Sequence, residues 1–444
     1  MASGERMGAG GSILKIAVLG LWHLGSVTTA CLAASGYRVN AWDPDSVLLG
    51  QIKKGNLPVQ EPGLLEAIKK GISSEKIRFC DTCAKAVEDC DVVWIAFDTP
   101  VDNHDRAMVH VVEKQVLQAL PESKKNALFI LSSQLPVLTT RRLEKAAQKQ
   151  KCPRTFAVIP ENLRLGQAMN VFLRPDRVIA GIRNPRTRAI IEKIYRPITD
   201  NIVFMGVEAA EMTKHAINGF LAVSITFMNE IARICEATGA DAREVEKGLK
   251  TESRIGPKAY LRAGSAFAGG TLARDVLYLS QVGRKMKTHP ILLPSIYRSN
   301  RYHAKWLQNK ICTLFPSLKD RTIGIWGVTY KPGTSTLRRS QAASLVQWLS
   351  RRKARVRYHD PEADSLPSLT NVQRVFSPLS ALRGADALVI GTPWPDYRKI
   401  PLKKIGQIIK GRPLLDPNGF LEVSGPTGHG FQYHRVGTPR RVVI

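Results

Sequence analysis

The chain has 444 residues, with 65 Lys/Arg against 37 Asp/Glu, a formal net charge of +28 and 44% hydrophobic residues. This length accommodates two or three domains of ordinary soluble composition, and no apolar run approaches the roughly 20 residues that cross a bilayer, so no membrane role is expected. The charge raises nucleic acid as a partner, but the one dense basic cluster, Arg351, Arg352, Lys353, Arg355 and Arg357, has no stacking aromatics interleaved, and an anionic small substrate accounts for it more simply.

Residues 1–12 lack the apolar core of a signal peptide and read as a loose tail. Ile13–Gly20 is a short apolar strand, Trp22–Gly36 a turn into a helix, and Val39–Asp43 a second strand ending in an acid. Strand, glycine turn, helix, strand and acid form a βαβ dinucleotide site, with the pyrophosphate expected at the helix N-terminus. Asp43 is placed to accept from the adenosine ribose and to repel a 2′-phosphate, which favours NAD over NADP. One position breaks the glycine fingerprint. Gly20-Leu21-Trp22-His23-Leu24-Gly25 carries Trp22 where backbone must approach the phosphates.

The seven cysteines have no repeated spacing, and Cys80-x2-Cys83 with Cys90 lacks a second ligand pair. No metal site is expected, and free thiols in a reducing, cytoplasmic compartment are. Asp91–Phe97 reads as a buried strand leading to Thr99-Pro100, and Ala127–Leu131 as another leading into S-S-Q-L-P-V-L-T-T. Further on comes P-E-N-L-R-L-G-Q-A, opening at Pro160. By itself Glu161 there reads more often as a loop ion-pair partner than as a site carboxylate.

Glu208 to about Thr238 has no proline and one interior glycine, and reads as a long helix ending at Gly239. Lys214 and Asn218 lie four apart on it and share a face; alone, they read more readily as solvated positions than as catalytic ones. Gly264–Asp275, G-S-A-F-A-G-G-T-L-A-R-D, then sets Thr271, Arg274 and Asp275 behind Gly264, Gly269 and Gly270, glycines that permit tight turns or close approach to a ligand. In the last third, Ile323–Trp326, a glycine turn Gly327–Gly333, a helix Gln341–Arg351, and strands at Val356–His359, Ala387–Gly391 and Pro413–Asp416 make a second Rossmann-like layer.

From about residue 13 to 420, in order, these segments resemble the UDP-glucose/GDP-mannose dehydrogenase family. Gly55, Pro58, Glu61, Pro62, Gly63 and Leu64 match its G-x-x-P-x-x-E-P-G-L. The resemblance implies an α/β fold with two Rossmann-like doubly wound domains joined by a long central helix and a helical dimerisation domain. Its divisions would be a tail at 1–12, an NAD-binding domain at 13–205, a central domain at 206–305 and a nucleotide-sugar (UDP) domain at 306–444. Catalytic roles would fall to Lys214, Asn218, Glu161, Asp275, Thr271 and Gln134. NAD would be held by Gly20, Trp22, Leu24, Gly25, Asp43, Thr99 and Pro100. A UDP-linked sugar would be held by Glu161, Leu163, Arg164, Lys214, Asn218, Tyr260, Gly264, Gly270, Lys331 and Arg338. A homodimer would form on the long helix.

Four departures stand out. Thr271 occupies the position of the family's nucleophilic Cys. Gln134 stands at its Thr near the reacting carbon and Leu138 at its glycine. Asp416-Pro417-Asn418-Gly419 replaces D-x-R-N and loses an Arg. The family oxidises a sugar alcohol twice, trapping the intermediate aldehyde as a thioester. Thiolate suits that step because a thiol pKa near ~8.5 is readily lowered, whereas a threonine hydroxyl is far less acidic. The expected activity is therefore NAD-dependent hydride removal from a nucleotide sugar with altered later chemistry. The alternatives are an epimerase-like enzyme that returns the hydride, or a redox-silent nucleotide-sugar-binding protein.

Overall fold

A computed structural model describes residues 14–439 apart from 60, 101–106, 162, 269, 364, 365 and 367. The expected tail, residues 1–12, and Gly269 of the glycine loop lie outside the described residues. The chain divides into two compact units, through Ala216 and from Ile217 onward. The division falls inside the helix Val207–Thr238.

The first unit is built on eight strands: β1 Lys15–Leu19, β2 Arg38–Trp42, β3 Ile77–Phe79, β4 Val92–Ile95, β5 Leu128–Leu131, β6 Thr155–Val158, β7 Val178–Gly181 and β8 Ile202–Met205, ordered β3-β2-β1-β4-β5-β6-β7-β8. Pairing is parallel except between β6 and β7, which meet antiparallel at Val158 and Gly181. β4 (V-V-W-I) and β5 (L-F-I-L) are buried throughout. Continuous apolar runs of that kind are what a parallel sheet covered on both faces requires. Each such Val, Leu or Ile contributes about 1.5–3 kcal/mol when fully buried.

Strand order reverses between β1 and β4. In open α/β sheets the crevice outside the strand C-termini at that reversal is where ligands bind.

The second unit repeats the plan on six parallel strands: β9 Thr322–Trp326, β10 Arg355–His359, β11 Val372–Arg374, β12 Ala387–Ile390, β13 Pro413–Leu415 and β14 Gln432–His434, ordered β11-β10-β9-β12-β13-β14. The fold is thus α/β with two Rossmann-like parallel sheets, connected in sequence by a long central helix. The helices Ala242–Thr251, Thr271–Lys285, Leu292–His303 and Trp306–Leu314 lie between the central helix and β9 in the chain. No helix among the described residues is long and apolar enough to cross a membrane.

Sequence reading finds the first two strands of each sheet and the long helix, displaced by a residue or two. It names no strand at β3, β6, β7, β8, β11 or β14, each of three or four residues, because runs that short carry little periodic signal.

Candidate functional site

In the first unit, β1 runs into Gly20, whose φ is +93° and where a Cβ would come within 2.7 Å of the Phe97 backbone. Only glycine fits there. At Gly25 a Cβ would stand 1.6 Å from the Gly20 carbonyl oxygen, so this glycine lets the helix His23–Ala34 close against the turn. Trp22 is the N-cap at φ −67°, with no side-chain capping bond, and its ring is 49% exposed. The middle position therefore needs no positive φ, and the ring is not packed into the core.

Asp43, 9% exposed, follows β2 and accepts from Leu21 N–H at 2.7 Å and Asp45 N–H at 2.9 Å. Burial holds its carboxyl above the usual range despite those two bonds. Thr99 Oγ1 donates to the Gln134 carbonyl at 2.8 Å, and the Pro100 carbonyl accepts from Met108 N–H. A turn that a Cβ would fill, an uncapped helix N-terminus and an acid ending β2 are what a dinucleotide requires, so these residues fit NAD.

At the C-terminal ends of β5 and β6 the same unit holds a cavity whose lining includes Ser133, Gln134, Glu161, Glu211 and Lys214. Three expected site residues, Gln134, Glu161 and Lys214, thus converge there. Glu211 was not foreseen. It accepts from Leu138 N–H at 2.7 Å, Thr140 N–H at 2.9 Å and Thr140 Oγ1 at 2.7 Å, capping the helix Thr139–Lys149. Leu138 has φ +73°, so the backbone keeps a glycine's geometry at the position where the resemblance places glycine.

Glu61 is buried and accepts from Gly166 N–H at 2.9 Å and Ala168 N–H at 2.6 Å, while His23 Nε2 lies 3.2 Å away. It ties the loop after Glu161 to the start of the first helix. Leu163 packs against the core, and Arg164 is exposed.

In the second unit, Asn218 Nδ2 donates to Asp275, and both side chains are buried. Asp275 lies in the first turn and a half of the helix Thr271–Lys285, with Thr271 exposed at its first position. The glycine loop before it is held by side chains that sequence reading did not single out. Gly264 N–H donates to Asn229 at 2.9 Å and Ser265 N–H to Asn418 at 2.8 Å. The Gly264 carbonyl accepts from His303 Nε2 at 2.8 Å and the Ala266 carbonyl from Gln341 at 2.7 Å. Asn300 bonds both the N–H and the carbonyl of Phe267.

His303 is pushed down to about 4, first by burial and then, against the help of its Gly264 bond, by Arg233. The neutral ring donates through Nε2, leaving Nδ1 to accept from Arg233 at 3.1 Å. Neither Gly264 nor Gly270 has a positive φ; a Cβ on Gly264 would stand 2.6 Å from Asn418 Oδ1. Close approach, not turning, is what Gly264 provides. In the sequence the cage is only scattered Asn, Gln and His with no shared spacing. Tyr260 is exposed.

β9 likewise runs into a glycine, Gly327, at φ +82° with a Cβ position 2.3 Å from the Thr392 carbonyl oxygen. Asp360 closes β10 as Asp43 closes β2, accepting from Val328 N–H at 2.7 Å and Thr329 N–H at 3.0 Å. Burial raises its pKa, but four backbone N–H donors together outweigh that and hold it below the usual carboxylate range. Lys331 and Arg338 follow on this turn, Lys331 half-buried and Arg338 exposed.

Residues 14–199, 208–302 and 324–423 match, in turn, the NAD binding, central and UDP binding domains of UDP-glucose/GDP-mannose dehydrogenases. The chain belongs to the UDP-glucose/GDP-mannose dehydrogenase family. It is 30% identical over 431 residues to the UDP-glucose 6-dehydrogenase TuaD of Bacillus subtilis, covering 96% of this chain and 93% of that one. It is 31% identical over 440 residues to the UDP-glucose 6-dehydrogenase of Rhizobium meliloti, covering 96% and 100%.

Among solved structures, a UDP-glucose dehydrogenase from the hyperthermophilic archaeon Pyrobaculum islandicum superposes with a TM-score of 0.86 at 25% identity, covering 99% of this chain and all of that one. The chain is therefore an oxidoreductase of a nucleotide-sugar dehydrogenase family with an NAD-binding domain.

Proposed function

We propose that the protein removes a hydride from an alcohol carbon of a UDP-linked sugar and releases an aldehyde or ketone as its main product. The convergence of Lys214, Glu161 and Gln134 on one cavity at the strand C-termini carries this reading. NAD, when bound, supplies the hydride acceptor. Gly20, Trp22, Leu24 and Gly25 form the turn and helix start that receive its pyrophosphate, Asp43 receives its ribose, and Thr99 and Pro100 line the cofactor's path.

Lys214 stabilises negative charge developing on the substrate oxygen as the C–H bond breaks. Glu161, directly or through water, accepts the proton leaving that O–H, so that carbon and oxygen end doubly bonded. Asn218, oriented by Asp275, supplies a further dipole. Leu163, Arg164, Tyr260, Gly264, Gly270, Lys331 and Arg338 hold the sugar nucleotide. Thr271 provides no thiolate, so no thioester forms and the second oxidation lacks its usual intermediate. The division into 13–205, 206–305 and 306–444 assigns NAD binding, the catalytic loop with dimer contacts, and UDP binding in that order. The free state of all seven cysteines fits a cytoplasmic setting.

The deciding experiment incubates the purified protein with NAD and a panel of UDP- and GDP-sugars, following NADH absorbance and product mass. At most about one NADH per sugar is expected, and Lys214→Ala should cost ~10²–10³ in rate. Rapid release of two NADH with a uronic acid would overturn the two-electron reading. An epimerised sugar without net NADH would replace it with transient oxidation.

A further inference from the structure

Two serines follow β5, and the fold uses them differently. Ser132 Oγ accepts from Trp94 Nε1 at 2.8 Å and donates to the Ile159 carbonyl at 2.7 Å. That hydroxyl is spent on joining β4, β5 and the end of β6. Ser133 is equally buried, at 7% exposure, yet its Oγ has no hydrogen-bond partner among the described residues. Its backbone is anchored, with Ser133 N–H donating to the Ile95 carbonyl at 3.2 Å, and it lines the cavity that contains Gln134, Glu161 and Lys214.

Glu211, the other carboxylate of that cavity, is already committed to Leu138 and Thr140. A buried hydroxyl without a partner loses its hydration and recovers nothing in the folded chain. A ligand oxygen entering the cavity returns that loss.

We propose that Ser133 is a further catalytic residue, whose hydroxyl hydrogen-bonds the reacting oxygen of the substrate. The inference rests on the function proposed above for this cavity. A serine hydroxyl can donate, so while Glu161 takes the alcohol proton, Ser133 donates to the reacting oxygen as it becomes alkoxide-like and the carbonyl forms. Leu131, Leu135 and Val158 supply apolar walls around this group, which strengthens a hydrogen bond made inside.

The test compares Ser133→Ala, Ser133→Thr and Ser132→Ala by melting temperature, NAD affinity from fluorescence titration, and steady-state kinetics on the accepted UDP-sugar. Ser133→Ala should melt at the wild-type temperature or above and bind NAD within about twofold of wild type, while kcat/KM falls by about 100- to 1,000-fold, as for loss of one donor to a developing oxyanion. Ser133→Thr, which keeps the hydroxyl, should restore most of that loss. Ser132→Ala should instead lower the melting temperature. A Ser133→Ala protein with kcat/KM within twofold of wild type, or one destabilised like Ser132→Ala, overturns the proposal. Should the wild-type protein oxidise no sugar at all, the function proposed above fails, and Ser133 is judged by calorimetric titration with UDP-glucose. There, at least fivefold weaker binding by Ser133→Ala supports a ligand-contacting hydroxyl, and unchanged binding refutes it.

Discussion

Leu138 spends its backbone in a conformation that L residues avoid. At φ +73° it donates its N–H to the buried Glu211 and starts the helix Thr139–Lys149. At ordinary positions alanine outperforms glycine by roughly 0.5–1 kcal/mol. At 138 the order should reverse, because left-handed backbone costs an L residue about 1–2 kcal/mol that glycine avoids. Leu138→Gly is therefore expected to be more stable than Leu138→Ala by about 1 kcal/mol in urea denaturation. Equal stability, or alanine ahead, would mean that the Glu211 bond does not hold the backbone there.

Asp43 supports a second expectation at this scale. Native protein should bind NAD more tightly than NADP, and Asp43→Ala should weaken NAD binding and narrow the difference. Because Asp43 also accepts from Leu21 in the glycine turn, the variant should lose some thermal stability as well. Calorimetry that found NADP the tighter ligand of the native protein would reverse the assignment.

At the scale of an element, the central helix has two faces of different fate. Ala222, Met228, Ala232 and Cys235 are buried, while Phe220, Phe227 and Ile234 are exposed at 69%, 46% and 58%. These three recur every seven residues, which keeps them on one side of a helix over about 21 Å. An apolar stripe of that length on a stable helix calls for a covering surface, and a homodimer on this face is the occupant we propose. Light scattering should give a dimer at micromolar concentration, and Phe220→Glu with Phe227→Glu should shift it to monomer. A native monomer would remove the dimer from the proposal.

The glycine loop is an element of the opposite kind, held by polar side chains and not by apolar packing. Asn300→Ala would leave both polar groups of the Phe267 backbone unpaired, at about 1–3 kcal/mol each if they stay buried.

For the molecule as a whole, acid stability should be set by histidine before carboxylate. Burial drives His303 and His434 down to about 4 from their ordinary 6.5, with Arg233 acting further on the first and Lys310 on the second. Between those values the unfolded chain binds protons that the folded one refuses. Stability fully present above about pH 6.5 is therefore lost as pH falls toward 4, at up to about 1.4 kcal/mol per pH unit for each histidine. Asp360, Asp241 and Asp386 are held below the usual carboxylate range, so their contribution is lost only at lower pH. Urea midpoints from pH 7 to 4.5 should fall, and His303→Gln with His434→Gln should flatten the fall. An unchanged slope in the double variant would assign the loss elsewhere.

The sequence alone determined the two Rossmann-like layers and the long helix between them in the chain. It could do so because apolar periodicity, glycine turns and strand-end acids are local constraints, written in neighbouring residues: Gly20 and Asp43 in one sheet, Gly327 and Asp360 in the other. Tertiary structure decided the rest. Trp22 read as an obstruction until its backbone and exposed ring showed that the turn accepts it. Asn229, Asn300, His303, Gln341 and Asn418 carried no pattern, because the loop residues they hold lie 33 to 153 positions away from them. Ser132 and Ser133 are the same residue type side by side, and only the positions of Trp94 and Ile159 make one structural and leave the other facing the cavity. A hydrogen bond between distant residues depends on where the chain brings them, and no local propensity encodes that meeting.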